Sequence, residues 1–116
     1  MTPILYGIPN CDTVKKARRW LDEQGVAHDF HDVRKDGLDA ARLQRWMDAV
    51  GWEKLLNRAG TTFRKLPEEQ KNNLDATAAK ALMLDQPAMI RRPVVESAAG
   101  IIVGFAAADW HQRFAA

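Results

Sequence analysis

Residues 4–17, Ile4-Leu5-Tyr6-Gly7-Ile8-Pro9-Asn10-Cys11-Asp12-Thr13-Val14-Lys15-Lys16-Ala17, decide the fold. Ile4-Leu5-Tyr6 is a short apolar run of the kind a buried strand presents, and Gly7-Ile8-Pro9-Asn10 closes it as a turn. After Cys11 the period changes. Val14, Ala17 and Leu21 recur at i, i+3 and i+7, while Lys15, Lys16, Arg18 and Arg19 lie mostly elsewhere. That pattern predicts an amphipathic helix running to Gln24 and stopped by Gly25. Asn10, Asp12 and Thr13 all offer N-capping chemistry, so the helix start is fixed to within two residues.

Working outward, residues 27–33 read as a second strand, polar for a central one. Leu43, Trp46, Met47 and Val50 mark a helix that ends at Gly51, and residues 52–56 continue as a short helical piece. Residues 57–62 read as a loop, and Leu66-Pro67-Glu68-Glu69 opens another short helix with proline in its first turn. Leu74, Ala78, Ala81 and Leu82 outline a helix over about 75–84 that Gln86-Pro87 ends. Residues 89–95 lead into a strand, Ala99-Gly100 makes a hairpin turn, residues 101–103 pair back antiparallel, and 106–114 are helical. The order β-α-β, helical block, β-β-α predicts an α/β fold, a thioredoxin/glutaredoxin-like four-stranded mixed sheet layered with helices. Its first βαβ unit crosses over right-handed. The chain reads as one domain over 1–116, with the core in about 1–36 and 73–116 and a helical insertion in about 37–72.

Composition bounds the chemistry. The 116 residues are 47% hydrophobic and 28% charged, which argues against intrinsic disorder. Seventeen basic against fifteen acidic residues leave a net charge of +2, too balanced for a dedicated nucleic-acid binder. Cys11 is the sole cysteine, so neither an intramolecular disulfide nor a multi-cysteine zinc site is available. Met1-Thr2-Pro3 leads straight into the first strand without the pattern of a signal peptide. The longest apolar stretch, 98–108, is about half a membrane span and is broken by two glycines. The expectation is a soluble, cytoplasmic, reduced protein. His28, His31 and His111 show no metal-ligand spacing, and no phosphate-binding glycine loop is present.

A cysteine between a strand and the first turn of a helix is placed where backbone N–H groups and the helix dipole favour the thiolate, and Lys15 lies one turn on. The gain in attack is modest. For a thiol whose pKa falls from about 8.5 to about 6, the thiolate fraction at pH 7 rises roughly thirtyfold. The accompanying loss of nucleophilicity leaves a net gain of only about two- to threefold. The larger benefit comes when that sulfur is the leaving group of a mixed disulfide. The fourth position of a C-x-x-C pair is Val14 here, so any disulfide is intermolecular and needs a second thiol from solution, glutathione being the abundant candidate.

The segments 6–17, 55–63 (Leu55-Leu56-Asn57-Arg58-Ala59-Gly60-Thr61-Thr62-Phe63) and 89–93 (Met89-Ile90-Arg91-Arg92-Pro93), taken together, resemble the ArsC/Spx family and within it the YffB branch of small reductase-like proteins. The resemblance spans essentially the whole chain and implies a thioredoxin-like fold with a helical insertion. It implies Cys11 as the redox nucleophile, with Arg58 and Arg92 facing the thiol and Pro93 as a cis residue. An ungapped match to arsenate reductases puts Asn57 opposite the loop arginine instead, and both assignments stand at this point. Two guanidiniums there would hold a thiolate and bind an oxyanion or a glutathione carboxylate.

Three functions follow as expectations. The first is a glutathione-dependent thiol–disulfide reductase with glutathione as co-substrate and no bound cofactor or metal. In it Cys11 is catalytic, Arg58, Arg92, Pro93 and Lys15 bind the partner, Asn10 and Thr13 shape the helix start, and glutaredoxin is a possible partner. The second is an Spx-like module that binds RNA polymerase, although Val14 removes the C-x-x-C switch of many Spx regulators. The third, arsenate reduction, is disfavoured, because the arginine that arsenate reductases carry after the last hairpin has no counterpart in 101–110.

Overall fold

The computed structural model describes residues 2–114. Its sheet contains β1 (Ile4–Gly7), β2 (Asp29–Asp32), β3 (Val94–Ser97) and β4 (Gly100–Val103) in the order β2-β1-β3-β4. β1 runs parallel to β2 and antiparallel to β3, and β3 and β4 form an antiparallel hairpin. The mixed four-stranded α/β architecture expected from the sequence is therefore present. Edge placement accounts for the polarity of β2. Asp29, His31 and Asp32 lie on a strand paired along one side only.

The register aligns one row of side chains across all four strands: Phe30, Leu5, Val95 and Ile102. α1 (Asp12–Glu23) lays Val14, Ala17 and Leu21 on this row, and α7 (Ala107–Phe114) adds Trp110. These are the residues that the i, i+3, i+7 spacing assigns to the buried face of the first helix. Trp110 is fully buried. Its ring centroid lies 4.8 Å from Phe105, 5.6 Å from Phe114 and 5.9 Å from Trp20, mostly edge to face. Its indole N–H donates to the Gly104 carbonyl at 3.1 Å, so the one polar atom of the side chain is satisfied.

Residues Gly37–Arg91 form a second compact unit, apart from the unit that ends at Asp36 and resumes at Arg92. It contains α2 (Ala40–Val50), α3 (Trp52–Leu55), α4 (Thr61–Arg64), α5 (Glu68–Asn72), α6 (Ala76–Asp85) and a 3-10 turn at Pro87–Met89. The helical unit runs on to Arg91, past the boundary near 72 suggested by the sequence, because α6 packs on α2, α3 and the 3-10 turn. Leu43, Trp46, Leu55, Leu56, Ala79 and Met83 are fully buried.

Several boundaries differ from the sequence reading. Thr61–Arg64 is helical where a loop to 62 is expected, and a single turn is too short to show a period. Pro67 stands at the N-cap of α5, and the strand expected from 89 begins at Val94. The hairpin turn is Ala98-Ala99, and Gly100 opens β4 with φ +108°, a backbone conformation that favours glycine. Among the described residues no helix is long and apolar enough to cross a membrane.

Truncating Trp110 to alanine removes the centre of the aromatic cluster and strands the Gly104 carbonyl. Urea unfolding is expected to show a loss of about 3–5 kcal/mol, a large share of the roughly 5–15 kcal/mol typical of a domain. A change under about 1 kcal/mol would show that the cluster is not the anchor of this face.

Candidate functional site

Cys11 is itself the N-cap of α1, in extended conformation with φ −138° and ψ 124°. Its carbonyl accepts the first helical bond, from the Lys15 N–H at 2.9 Å. This corrects the expectation that Asn10, Asp12 or Thr13 caps the helix. The Cys11 side chain itself makes no cap hydrogen bond. The contrast with the two other long helices capped in this chain is direct. Asp39 accepts the Arg42 N–H at 2.6 Å at the head of α2, and Asp75 accepts the Ala78 N–H at 2.8 Å at the head of α6. Aspartate is a preferred cap residue because its oxygen meets the free first-turn amides. α1 has a thiol in that place.

The thiol is free and half-buried, and it packs against the edge of the Leu5–Val14–Trp110 core cluster. It is neither sealed in the core nor fully solvated. Asn10, just before it, and Thr13 and Lys15, in the first turns of α1, are exposed. Gly7, read from the sequence as a turn residue, is the buried last residue of β1.

Register locates the second element of the site. Tyr6 pairs with Val94, so Pro93 lies beside the carboxyl end of β1, the end from which the Cys11 segment leaves. Pro93 is buried, its carbonyl accepts the Gly104 N–H at 2.8 Å, and the Arg92–Pro93 peptide is cis. Arg92 is half-exposed and has no ion pair or side-chain hydrogen bond among the described residues.

Arg58 belongs to the other unit. Its guanidinium lies 5.3 Å from the centroid of the Trp52 ring, a cation–π contact that restrains it. Asn57, the alternative match, is occupied locally. Its side-chain oxygen accepts the Ala59 N–H at 3.2 Å, and its own N–H donates to the Met89 carbonyl at 2.8 Å. The Arg91 N–H donates to the Leu55 carbonyl at 2.7 Å and Leu56 bridges to Ile90, so the residues before the Arg58 loop are tied to residues 90–91 of the same unit. Among the described residues no group of three or more His, Cys, Asp or Glu could hold a metal ion.

Cap chemistry yields a prediction opposite in sign to most substitutions at a reactive residue. Cys11→Ser supplies a hydroxyl that accepts a first-turn N–H, and chemical denaturation is expected to show a gain of about 0.5–1 kcal/mol. A less stable serine variant would mean that sulfur packing outweighs the missing cap.

The ArsC family model matches residues 6–113. Among solved structures, the YffB protein is 54% identical over 99% of this chain and 100% of that one, with a TM-score of 0.91. An arsenate reductase (ArsC) related protein from Brucella melitensis is 52% identical, covering 100% and 97% of the two chains, with a TM-score of 0.81. The global transcriptional regulator Spx of Streptococcus agalactiae is 25% identical over 103 residues, 87% of this chain and 74% of that one. With a mixed sheet, a capping cysteine after β1 and sequence similarity from Tyr6 onward, this chain belongs to the ArsC family.

Proposed function

We propose that the protein is a thiol–disulfide reductase that uses Cys11 as its single nucleophile and glutathione as co-substrate, acting in the cytoplasm. The observation that carries this reading is the reachable thiol standing as the cap of a twelve-residue helix and accepting no cap bond. The first-turn amides and the positive end of the helix dipole then serve a sulfur that carries negative charge, either as attacking thiolate or as departing one.

The cycle balances with one cysteine. The Cys11 thiolate attacks the glutathione sulfur of a mixed disulfide, a new S–S bond forms between Cys11 and glutathione, and the substrate leaves as a thiolate that takes a proton from water. A second glutathione thiolate then attacks the glutathione sulfur, oxidised glutathione leaves, and the Cys11 thiolate is restored. In sum, one substrate–glutathione disulfide and one glutathione become one free thiol and one oxidised glutathione. Arg92 and Arg58 orient the carboxylates of glutathione by charge-assisted hydrogen bonds, Lys15 adds positive potential, and Asn10, Thr13 and Pro93 shape the walls. Glutaredoxin is the natural second acceptor of the glutathione carried on Cys11.

Likeness to arsenate reductase-related proteins supports thiol chemistry in general. Arsenate itself, a multiply charged oxyanion, is a poorer fit, because residues 101–110 offer no third arginine.

Incubation with oxidised glutathione is expected to leave one glutathione on Cys11 by mass spectrometry and none on Cys11→Ser. Arg92→Ala and Arg58→Ala are each expected to slow that adduct about tenfold, the loss of roughly 1.4 kcal/mol and near the value of a charge-assisted hydrogen bond. An unmodified Cys11 would reject the reductase reading. If the unmodified protein also bound purified RNA polymerase, and Cys11→Ser bound it equally well, the Spx-like reading would replace it.

A further inference from the structure

The five glycines Gly25, Gly37, Gly51, Gly100 and Gly104 have positive φ, and a Cβ added to any of them would meet nothing within 4 Å. Gly7 is the reverse case. Its φ is not positive, so any residue could adopt its backbone conformation. What it lacks is room. A Cβ at Gly7 would lie 2.8 Å from Val14 Cγ2 and 3.4 Å from Val14 Cγ1. Glycine weakens a strand interior, and a strand glycine without a conformational need marks a place where another part of the chain comes close.

That neighbour is in the first turn of α1. Val14 is fully buried, three residues after Cys11, and the turn that carries both is closed by the Lys15 N–H to Cys11 carbonyl bond. Valine in a helix has one strongly preferred χ1 rotamer, so its methyl groups have little freedom to turn aside. Ile8, Pro9 and Asn10 alone join Gly7 to Cys11, and proline has a fixed φ. A displacement between Gly7 and Val14 therefore falls on a short, stiff connection whose far end is Cys11.

We propose that Gly7 is a positioning residue for Cys11: its missing side chain lets Val14 seat the first turn of α1 on the end of β1, and this seat sets where the thiol stands relative to β1 and to the Arg92–Pro93 segment that leads into β3. The proposal rests on Cys11 being the reactive thiol. The seat is a pairing of two sizes, glycine on the strand and valine on the helix. Adding a methyl on the strand side forces the contact open by about 0.6 Å to reach ordinary van der Waals separation. Removing bulk on the helix side gives that space back.

The test measures the rate at which Cys11 reacts with oxidised glutathione, and separately with iodoacetamide, across pH 5–9 in the full chain, with urea unfolding alongside. Gly7→Ala is expected to lower stability and to slow reaction with oxidised glutathione about tenfold, given that misplacement by 1 Å costs on the order of a hundredfold. It is also expected to move the pH profile of alkylation. Gly7→Ala/Val14→Ala is expected to return both readouts to within about twofold of Val14→Ala. Gly100→Ala, strained by its φ and remote from the contact, is expected to lose stability without changing either profile. If Gly7→Ala does not fold, Val14→Ile crowds the same contact from the helix side and should reproduce the slowing.

Wild-type profiles in a folded crowding variant would overturn the proposal, as would a double variant that regains stability but not rate. The two reagents keep the outcomes separate. If wild-type protein does not react with oxidised glutathione, the reductase reading falls, while the alkylation profiles still decide whether Gly7 positions the thiol.

Discussion

Everything specific to this protein depends on how the amino end of α1 meets the carboxyl end of β1. Leu5 and Val95 lie on one row of the sheet, Val14, Ala17 and Leu21 pack over it, and Gly7 leaves the space into which Val14 fits. Protein interiors are packed too densely to absorb even one methyl group without a shift. The end of the strand, the first turn of the helix and the residue that caps it therefore behave as one rigid piece. The thiol of Cys11 inherits its position from hydrophobic contacts made three and four residues to either side.

The same junction lacks a cap bond that the other long helices with a defined cap have. α2 and α6 begin with an aspartate that bonds the third amide of the helix. α1 begins with a thiol that makes no such bond. A protein selected for stability alone would use the aspartate in all three places, because the exchange is worth about 1 kcal/mol. Under the proposed reductase cycle, those amides would serve the sulfur of Cys11 in place of a capping oxygen. Asn10 and Thr13, which have side chains suited to capping, flank Cys11 without doing so.

Much of the fold was legible because its signals are periodic and long. A twelve-residue helix with buried Val14, Ala17 and Leu21 repeats its pattern enough times to be unmistakable, and the hairpin of β3 and β4 is announced by two apolar runs around a turn. Thr61–Arg64 and Pro87–Met89 were not legible, since one turn of chain has no period to read. The polarity of β2 was visible in residues 27–33, but its cause, an edge position, lies in the strand order. The placement of Cys11 between a strand and a basic helix was legible as well. Its role as cap was hidden by better capping residues on either side.

Alone, the sequence determined where the long helices and the strands of the sheet lie and that these residues contain a single thiol, Cys11. Those properties are local or compositional, and residue type and spacing settle them. Tertiary structure decided that β2 is an edge, that α6 packs with the helices before it, that Pro93 lies beside the end of β1, and that Gly7 is required for space and not for its backbone angles. Each of these depends on contacts between residues far apart in the chain or on the distance between two side chains. A one-dimensional pattern contains neither quantity.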